Sequence, residues 1–368
     1  MNHGSVSEND FIVEATRISE ILAGHAAEHD REATFPTEGT AAILLSPINT
    51  AILDGATWTT FVQIVGILSK GDPSAATAWL MHQGAGSAFT TLADPALVAF
   101  FDAEWRRGVW FGNALSEPTS GNLFLSPLQE ARRVEGGWRL SGVKRFVTNC
   151  ERAEYFLTNA LCEGMPTFFL IDKDDKDGSI RVEDIWDTMG MRATRSQLLR
   201  LNDTFLPDAR RVNLRPETPN AIPVGLPWLS IGIAQAALEF AIGYAKERLI
   251  PPKNRPLAAM QWVQFAVADM AIQLDAARAL AMRAAAATDV GDPACGILQM
   301  EAKVAANAAA IEITTAALKI SGGSGYLKRS PIERHVRDAM SGHLMAWSNE
   351  VIRDFVGKML LGIAPGSD

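Results

Sequence analysis

What most limits the folds open to this chain is that its hydrophobic period changes twice along its length. From Phe11 to about Arg107 apolar residues recur at helical spacing, as at Phe11, Ala15, Ile18 and Leu22, and again around Phe61 to Leu68 and Ala75 to Met81. Pro36, Pro47, Gly71, Pro73 and Pro95 punctuate that stretch, each at a natural loop or helix start. Between Gly108 and Val212 short β-branched and aromatic runs take over: Val109–Leu115, Trp138–Ser141, Lys144–Thr148, Tyr155–Leu161, Thr167–Ile171 and Leu198–Phe205. Glu135-Gly136-Gly137 reads as a hairpin turn between two of them. From about Leu226 helices return with wide apolar faces, Leu229, Ile233, Ala237, Phe240 and Tyr244 on one and Val263, Val267, Met270 and Leu274 on the next. Alanine dominates Ala276 to Ala287 and Ala302 to Ala317, and such small side chains let helices approach closely. The pattern predicts an α+β chain of three parts. These are an N-terminal helical domain over 1–107, a central antiparallel β-barrel or sandwich domain over 108–213, and a C-terminal four-helix bundle over 220–368.

At 368 residues the chain exceeds what one core normally serves, so a large cofactor can be buried between parts. The formal charge of −8 and the lack of any Lys/Arg run argue against nucleic acid as a partner. Cys150, Cys162 and Cys295 are odd in number and without a CxxC pair, which gives neither a disulfide framework nor a zinc site; no metal is expected. The polar, acidic start lacks the pattern of a signal peptide, and charges or helix breakers divide every apolar stretch short of the roughly 18 residues that span a bilayer. The expectation is a cytoplasmic protein without a membrane partner.

Local motifs narrow this further. Ala114-Leu115-Ser116-Glu117-Pro118-Thr119-Ser120-Gly121-Asn122 resembles the Leu-Thr-Glu-Pro-Gly-Ala-Gly-Ser-Asp segment of acyl-CoA dehydrogenases, and Gly142-Val143-Lys144-Arg145-Phe146-Val147-Thr148-Asn149 is similar to their Gly-x-Lys-x-Trp-Ile-Thr-Asn segment. Tyr244 to Arg248, Gln261 and Ala268-Asp269-Met270-Ala271 match a third block, and Gly322-Gly323-Ser324-Gly325-Tyr326 with Arg337-Asp338-Ala339 a fourth. The four blocks keep the family's order over most of the chain, so their joint occurrence is specific where each alone is weak.

The resemblance implies a bound FAD. By similarity Leu115 and Ser116 lie at the pyrimidine edge of the flavin, Thr148 at its N5, and Phe146 where a tryptophan usually covers the ring; a planar apolar side chain there excludes water. Arg248 and Gln261 match positions that hold the pyrophosphate across a subunit boundary, where a guanidinium fork suits phosphate oxygens. Gly322 and Gly323 can bring backbone N–H groups to the same anion. Ser348 and Glu350 align with residues near the adenosine half. These transfers imply a homodimer or homotetramer, an acyl-CoA or acyl-carrier thioester as substrate, and O₂ or an electron-transfer flavoprotein as acceptor.

The chain also departs from the family. Removing a proton beside a thioester carbonyl requires a base, and the usual glutamate position, counted from Arg337-Asp338-Ala339, is Ala346. An alternative site on the helix entering the last part, Asn220 to Trp228, carries no carboxylate either. Pro251 to Pro256 replaces a short segment that packs near FAD, and the stretch containing Asn122 replaces one that touches the acyl thioester. His343, His82 and Asp338 are then the candidate catalytic groups, with His343 the leading replacement base, while Asn122, Ala346 and Arg192 are candidates for contacting substrate. His25, His29 and His335 read as surface residues. Gly190-Met191-Arg192-Ala193-Thr194-Arg195-Ser196 resembles a segment common in the superfamily's oxygenase branch, where reduced flavin meets O₂. The flavoenzyme of tropone and tropodithietic acid biosynthesis belongs to that branch. Two activities therefore stay open, α,β-dehydrogenation and flavin-mediated oxygenation, along with a relative that kept the fold and lost the chemistry.

Overall fold

The computed structural model describes residues 7–118, 121, 124–173, 178–214 and 218–364; the predicted substrate contact Asn122 lies outside them. Helix α1 (Glu8–Glu32) begins where Ser7 and Asp10 cap one another: the Ser7 hydroxyl accepts from the Asp10 N–H, and the Asp10 carboxylate from the Ser7 N–H. Its buried stripe contains the predicted Phe11, Ala15, Ile18 and Leu22. There follow α2 (Thr37–Leu44), α3 (Trp58–Gly71), α4 (Pro73–Gly86) and α5 (Pro95–Arg106). Thr57, Asp72 and Asp94 cap the last three by accepting first-turn N–H groups, and proline opens α4 and α5, where its missing N–H costs nothing.

The middle of the chain forms β1 (Phe111–Ala114), β2 (Glu130–Val134), β3 (Gly137–Val147), β4 (Tyr155–Cys162), β5 (Met165–Asp172), β6 (Ile180–Glu183), β7 (Gln197–Pro207) and β8 (Arg211–Val212). They pair in the order β6-β7-β3-β2-β4-β5-β8, with β1 added to β4. The sheet is mixed rather than wholly antiparallel, because β1 and β2 both run parallel to β4. The predicted turn joins β2 to β3, with Gly136 supplying the positive φ of 72° that the turn demands. Two predicted runs, Trp138–Ser141 and Lys144–Thr148, prove to be halves of one long strand whose pairing with β7 slips between Lys144 and Val147.

Helices α6 (Ala221–Glu247), α7 (Gln261–Asp289) and α8 (Cys295–Gly325) form three long rods, completed by α9 (Pro331–Ala339) and α10 (Asn349–Leu360). Among the described residues only α6 is long and apolar enough to cross a membrane, and 78% of that stretch is buried inside the protein. Core packing does not follow the three predicted parts. One cluster joins Ile18, Phe61, Leu68 and Trp79 from the first helices to Trp228, Ile233, Leu274 and Ile313 from the last, while the sheet keeps its own around Trp138, Phe156, Phe169 and Leu201. Glycine makes the helical packing possible at Gly232, where a Cβ would stand 2.6 Å from the carbonyl oxygen of Gly66 on α3.

Candidate functional site

Where β1 ends and β3 ends, the Arg145 N–H donates to the Ser116 carbonyl oxygen at 2.8 Å, so the two predicted flavin-contacting segments meet. The strand slip before Val147 gives Phe146 a positive φ of 56° and leaves its ring 55% exposed. That ring stands edge-on to Trp186 at 6.2 Å, with the Arg145 guanidinium 4.8 Å from its centroid.

Thr148, two residues on, lies 2.8 Å through its hydroxyl from the Ser196 hydroxyl. Ser196 donates to the Thr194 hydroxyl oxygen at 2.9 Å, and Thr194 donates to the Met191 carbonyl oxygen at 2.9 Å. A carbonyl oxygen can only accept, so it sets the direction of the whole row: Thr148 donates inward, and the lone pairs it has left face outward.

Behind Ser116 lies a buried ion pair. Glu117 and Lys144 are both fully buried, 2.8 Å apart, and the ammonium also donates to the Asn159 carbonyl and side-chain oxygens, each at 2.8 Å. Burial holds Lys144 below the ordinary lysine range, and the Glu117 charge opposes that shift.

Met191 links this region to a second cluster on the helices. A small cavity is lined by Met191, Ser230, Lys303, Asn307, Gly342 and Met345 among others. Lys303 is 4% exposed and donates to the carbonyl oxygens of Gly342 at 2.9 Å and Trp347 at 3.1 Å. Burial lowers it to about 8, against the opposing charge of Glu350. The Asn307 amide donates to the Gly342 carbonyl and the Asn349 side-chain oxygen, each at 2.8 Å, and accepts from Ser230 at 2.7 Å. These donors brace a segment in which Ala346 and Trp347 both have positive φ, 40° and 59°. The Trp347 ring lies 5.6 Å from that of Phe124, tying the segment to the sheet region.

The comparisons with known proteins bear on the family and the fold. The family described as acyl-CoA dehydrogenase, middle domain, matches residues 112–204, and acyl-CoA dehydrogenase, C-terminal domain, matches residues 224–361. An acyl-CoA dehydrogenase of Bacillus subtilis is 32% identical over 262 residues, covering 68% of each chain. The chain belongs to the acyl-CoA dehydrogenase superfamily. A 3-sulfinopropanoyl-CoA desulfinase of Paraburkholderia xenovorans is 29% identical, covering 93% of this chain and 92% of its own. In fold, the chain matches a Mycobacterium smegmatis glutaryl-CoA dehydrogenase solved with FADH2, with a TM-score of 0.87 at 20% identity, over 98% of this chain and 96% of that one.

Against the acyl-CoA dehydrogenase pattern, the predicted site residues fall into three groups. Ser116, Phe146 and Thr148 lie on segments that meet through the Arg145 N–H and the Ser116 carbonyl, while the Leu115 side chain is in the core, 5% exposed. Arg248, Gln261, Gly322 and Gly323 are exposed. The antiparallel run of α6, α7 and α8 brings all four to the end of the helices opposite the α6 start. A Cβ at Gly322 or Gly323 would meet nothing within 4 Å, and Gly322 needs its freedom for a φ of 58°. Ser348 caps α10 by accepting from the Val351 N–H, and Glu350 is exposed beside Arg353.

The remaining expectations need correction. His82 is wholly buried, accepts from the Phe111 N–H at 3.1 Å and lies 3.2 Å from the Asn49 side-chain oxygen, with Trp105 and Trp110 on its faces. Burial lowers it to about 3, so it is a neutral core residue and not a catalytic group. Asp338 is 2% exposed and accepts from the Met191 N–H at 2.6 Å; burial lifts it to about 7, against the pull of the Met191 hydrogen bond and Arg334. It holds the turn on which the hydroxyl row ends, and reaches no open site. Arg192 gives its Nε to the Asp30 carbonyl and its Nη1 to the Thr188 carbonyl and Asp187, so it is held by the protein's own groups with only Nη2 uncommitted. His29 and His335, read as surface residues, are 8% and 5% exposed. His343 is half-buried, its Nδ1 3.2 Å from the Asn349 amide nitrogen and its Nε2 shielded without a partner. Sequence reasoning missed Lys303, Asn307 and Ser230. The signal was a lysine and an asparagine one helical turn apart inside an alanine-rich apolar face.

Proposed function

We propose that this chain is an FAD-dependent oxidoreductase that acts on an acyl thioester of coenzyme A or an acyl carrier, with each flavin held between two copies of the chain. The observation that carries the reading is the hydroxyl row Thr148–Ser196–Thr194 beside Ser116, next to the exposed Phe146 ring. The row leaves Thr148 an outward-facing acceptor, which fits an N–H donor on a flavin edge, and an exposed ring fits the flavin's apolar face. FAD bound there supplies a two-electron acceptor.

The chain's own residues orient and shelter that group. Ser116 and Thr148 fix its polar edge, and Phe146 with Trp186 excludes water from one side. The exposed cluster of Arg248, Gln261, Gly322 and Gly323 suits a diphosphate, but α6 separates it from the ring site. Eighteen residues run from Ser230 to Arg248, about 27 Å at helical rise. One dinucleotide uses both clusters only if a second copy supplies one of them. The row of exposed apolar residues Trp262, Phe265 and Ile272 on α7, at 47%, 61% and 67%, offers a face for such a contact.

Ala346 leaves the family's carboxylate position without a base, which favours oxygenation over simple desaturation: a bound flavin would take its two electrons from a reduced nicotinamide cofactor, and O₂ would give one oxygen to the substrate and leave the other as water. The test is to purify the protein, record its visible spectrum, and mix it anaerobically with a panel of CoA esters. Flavin absorbance that bleaches anaerobically with one ester alone assigns dehydrogenation; no bleaching with the esters, but NAD(P)H-fed oxygen uptake and an oxygenated product, assigns the oxygenase. Protein that is colourless and leaves added FAD unbound refutes it.

A further inference from the structure

We infer that His343 is held in the tautomer that carries its proton on Nε2, and that it serves as a hydrogen-bond donor rather than as a base. The argument starts from a backbone atom. The Gly342 carbonyl oxygen can only accept, so the Asn307 side-chain atom 2.8 Å from it is the amide nitrogen. The same nitrogen lies 2.8 Å from an Asn349 side-chain atom, which must therefore be the oxygen. That places the Asn349 nitrogen, a donor, 3.2 Å from His343 Nδ1, and an N–H facing an N–H there would repel. Nδ1 therefore accepts.

Further contacts are compatible with the Asn307 orientation and hold the Gly342 carbonyl. The Asn307 oxygen accepts from Ser230 at 2.7 Å, and Lys303 donates to the same Gly342 carbonyl at 2.9 Å, which keeps that oxygen in place. Asn349 is fully buried, Asn307 is 1% exposed and Ser230 is 2% exposed, so no water competes to reverse the row. Asn307 and Asn349 are positioning residues, acting on His343 through its ring orientation and proton placement.

The consequence reverses the role expected from sequence. With its lone pair committed to Asn349, His343 has an N–H at Nε2, shielded and without a partner. It can serve only a group with a lone pair to offer, of which a thioester carbonyl oxygen is one. That last step rests on the proposed substrate class; the tautomer does not.

Nitrogen-15 magic-angle-spinning spectra of the full-length protein labelled at histidine decide the point without any ligand, with His343→Gln assigning the signal. The inference expects a pyridine-type resonance for Nδ1 and a pyrrole-type one for Nε2. A pyrrole-type Nδ1 in the wild type overturns it. Asn349→Asp replaces the donor by an acceptor and moves the proton to Nδ1; an unchanged spectrum in that variant removes Asn349 as the cause. If the charged variant does not fold, Asn349→Leu takes its place, and mixed tautomers are expected where unaltered ones would refute the row. A colourless protein with the expected spectrum would defeat the flavin reading and leave the tautomer standing.

Discussion

Replacing Glu117 by glutamine tests how the region behind Ser116 is held. Its carboxylate lies 2.8 Å from the Lys144 ammonium, and both side chains are fully buried. At that distance and an effective dielectric near 20 the attraction is about 6 kcal/mol. Lys144 need not forfeit all of it, because a buried lysine can shed its proton instead. Bringing an ordinary lysine to neutrality at pH 7 costs about 5 kcal/mol, which caps the loss. With its oxygen kept toward Lys144 and Gln129, glutamine also turns an N–H toward the Leu128 N–H that Glu117 now accepts from. The expected loss is about 3–5 kcal/mol, as for other buried pairs broken on one side. Urea unfolding followed by circular dichroism, with and without FAD, measures it. The double replacement Glu117→Met with Lys144→Met removes both charges and should lose much less. A Glu117→Gln penalty under about 1 kcal/mol, or a double variant as unstable as the single one, would show that the pair does not brace this region.

Four other outcomes follow from the same geometry. His82 stays neutral down to about 3 when folded, so between about pH 3 and 6.5 only the unfolded chain binds its proton and stability rises with pH. His82→Gln should flatten that acid limb by one proton in urea unfolding across the range. Asp338 has the opposite sign: lifted to about 7, it keeps its proton in the folded chain from about pH 4 to 7, so stability falls as pH rises through that window. Asp338→Asn should abolish this fall, a relative gain of up to about 4 kcal/mol above pH 7, and an unaltered profile would contradict the assignment. Arg248→Ala should weaken FAD binding roughly 10- to 100-fold, the loss of one charge-assisted hydrogen bond, while leaving binding of riboflavin, which has no phosphate, unchanged in a fluorescence titration; equal loss for both counts against a phosphate contact. Ala346→Gly should raise stability by about 1 kcal/mol, because glycine adopts the φ of 40° without a Cβ clash, and a drop in melting temperature would contradict that.

Much of this architecture was legible because burial writes a period into sequence. The stripe of α1 and the nearly continuous apolar run of β4, buried on both faces, are direct records of what each element packs against. Strands β2 and β6 left no such record: Glu130–Val134 is mostly charged and exposed, and Ile180–Glu183 is a four-residue edge strand, so neither buries enough to show a pattern. The shared core of first and last helices was also hidden, since periodicity reveals that a face is buried but not against which partner. In the site, Ser116 and Thr148 could be read because strand ends fix their place locally. His82, Asp338 and Arg192 were misread for one reason. Sequence shows that a polar side chain exists, not that Phe111, Met191 or Asp30 already occupies it. Lys303, Asn307 and Asn349 gain meaning only when two helices and a loop are brought together.

The loss of the family carboxylate does not look like decay of the segment that carried it. Two consecutive residues with side chains, Ala346 and Trp347, keep left-handed backbone, at about 1–2 kcal/mol each. Holding them there takes a lysine out of water: burial drives Lys303 down to about 8, and its donors go to the carbonyls on either side of the turn. A glycine at either position would remove most of the strain, and a methionine at position 303 the desolvation. Helix α8 packs along its length in the helical core and α10 starts from its own Ser348 cap, so neither needs the costlier turn in order to form. The turn's shape is therefore in use, and what it keeps in place is Trp347 against Phe124 and the Gly342 carbonyl that directs the row to His343. Given the proposed thioester substrate, a histidine that donates suits the segment to holding an electron-rich oxygen rather than to taking a proton from carbon.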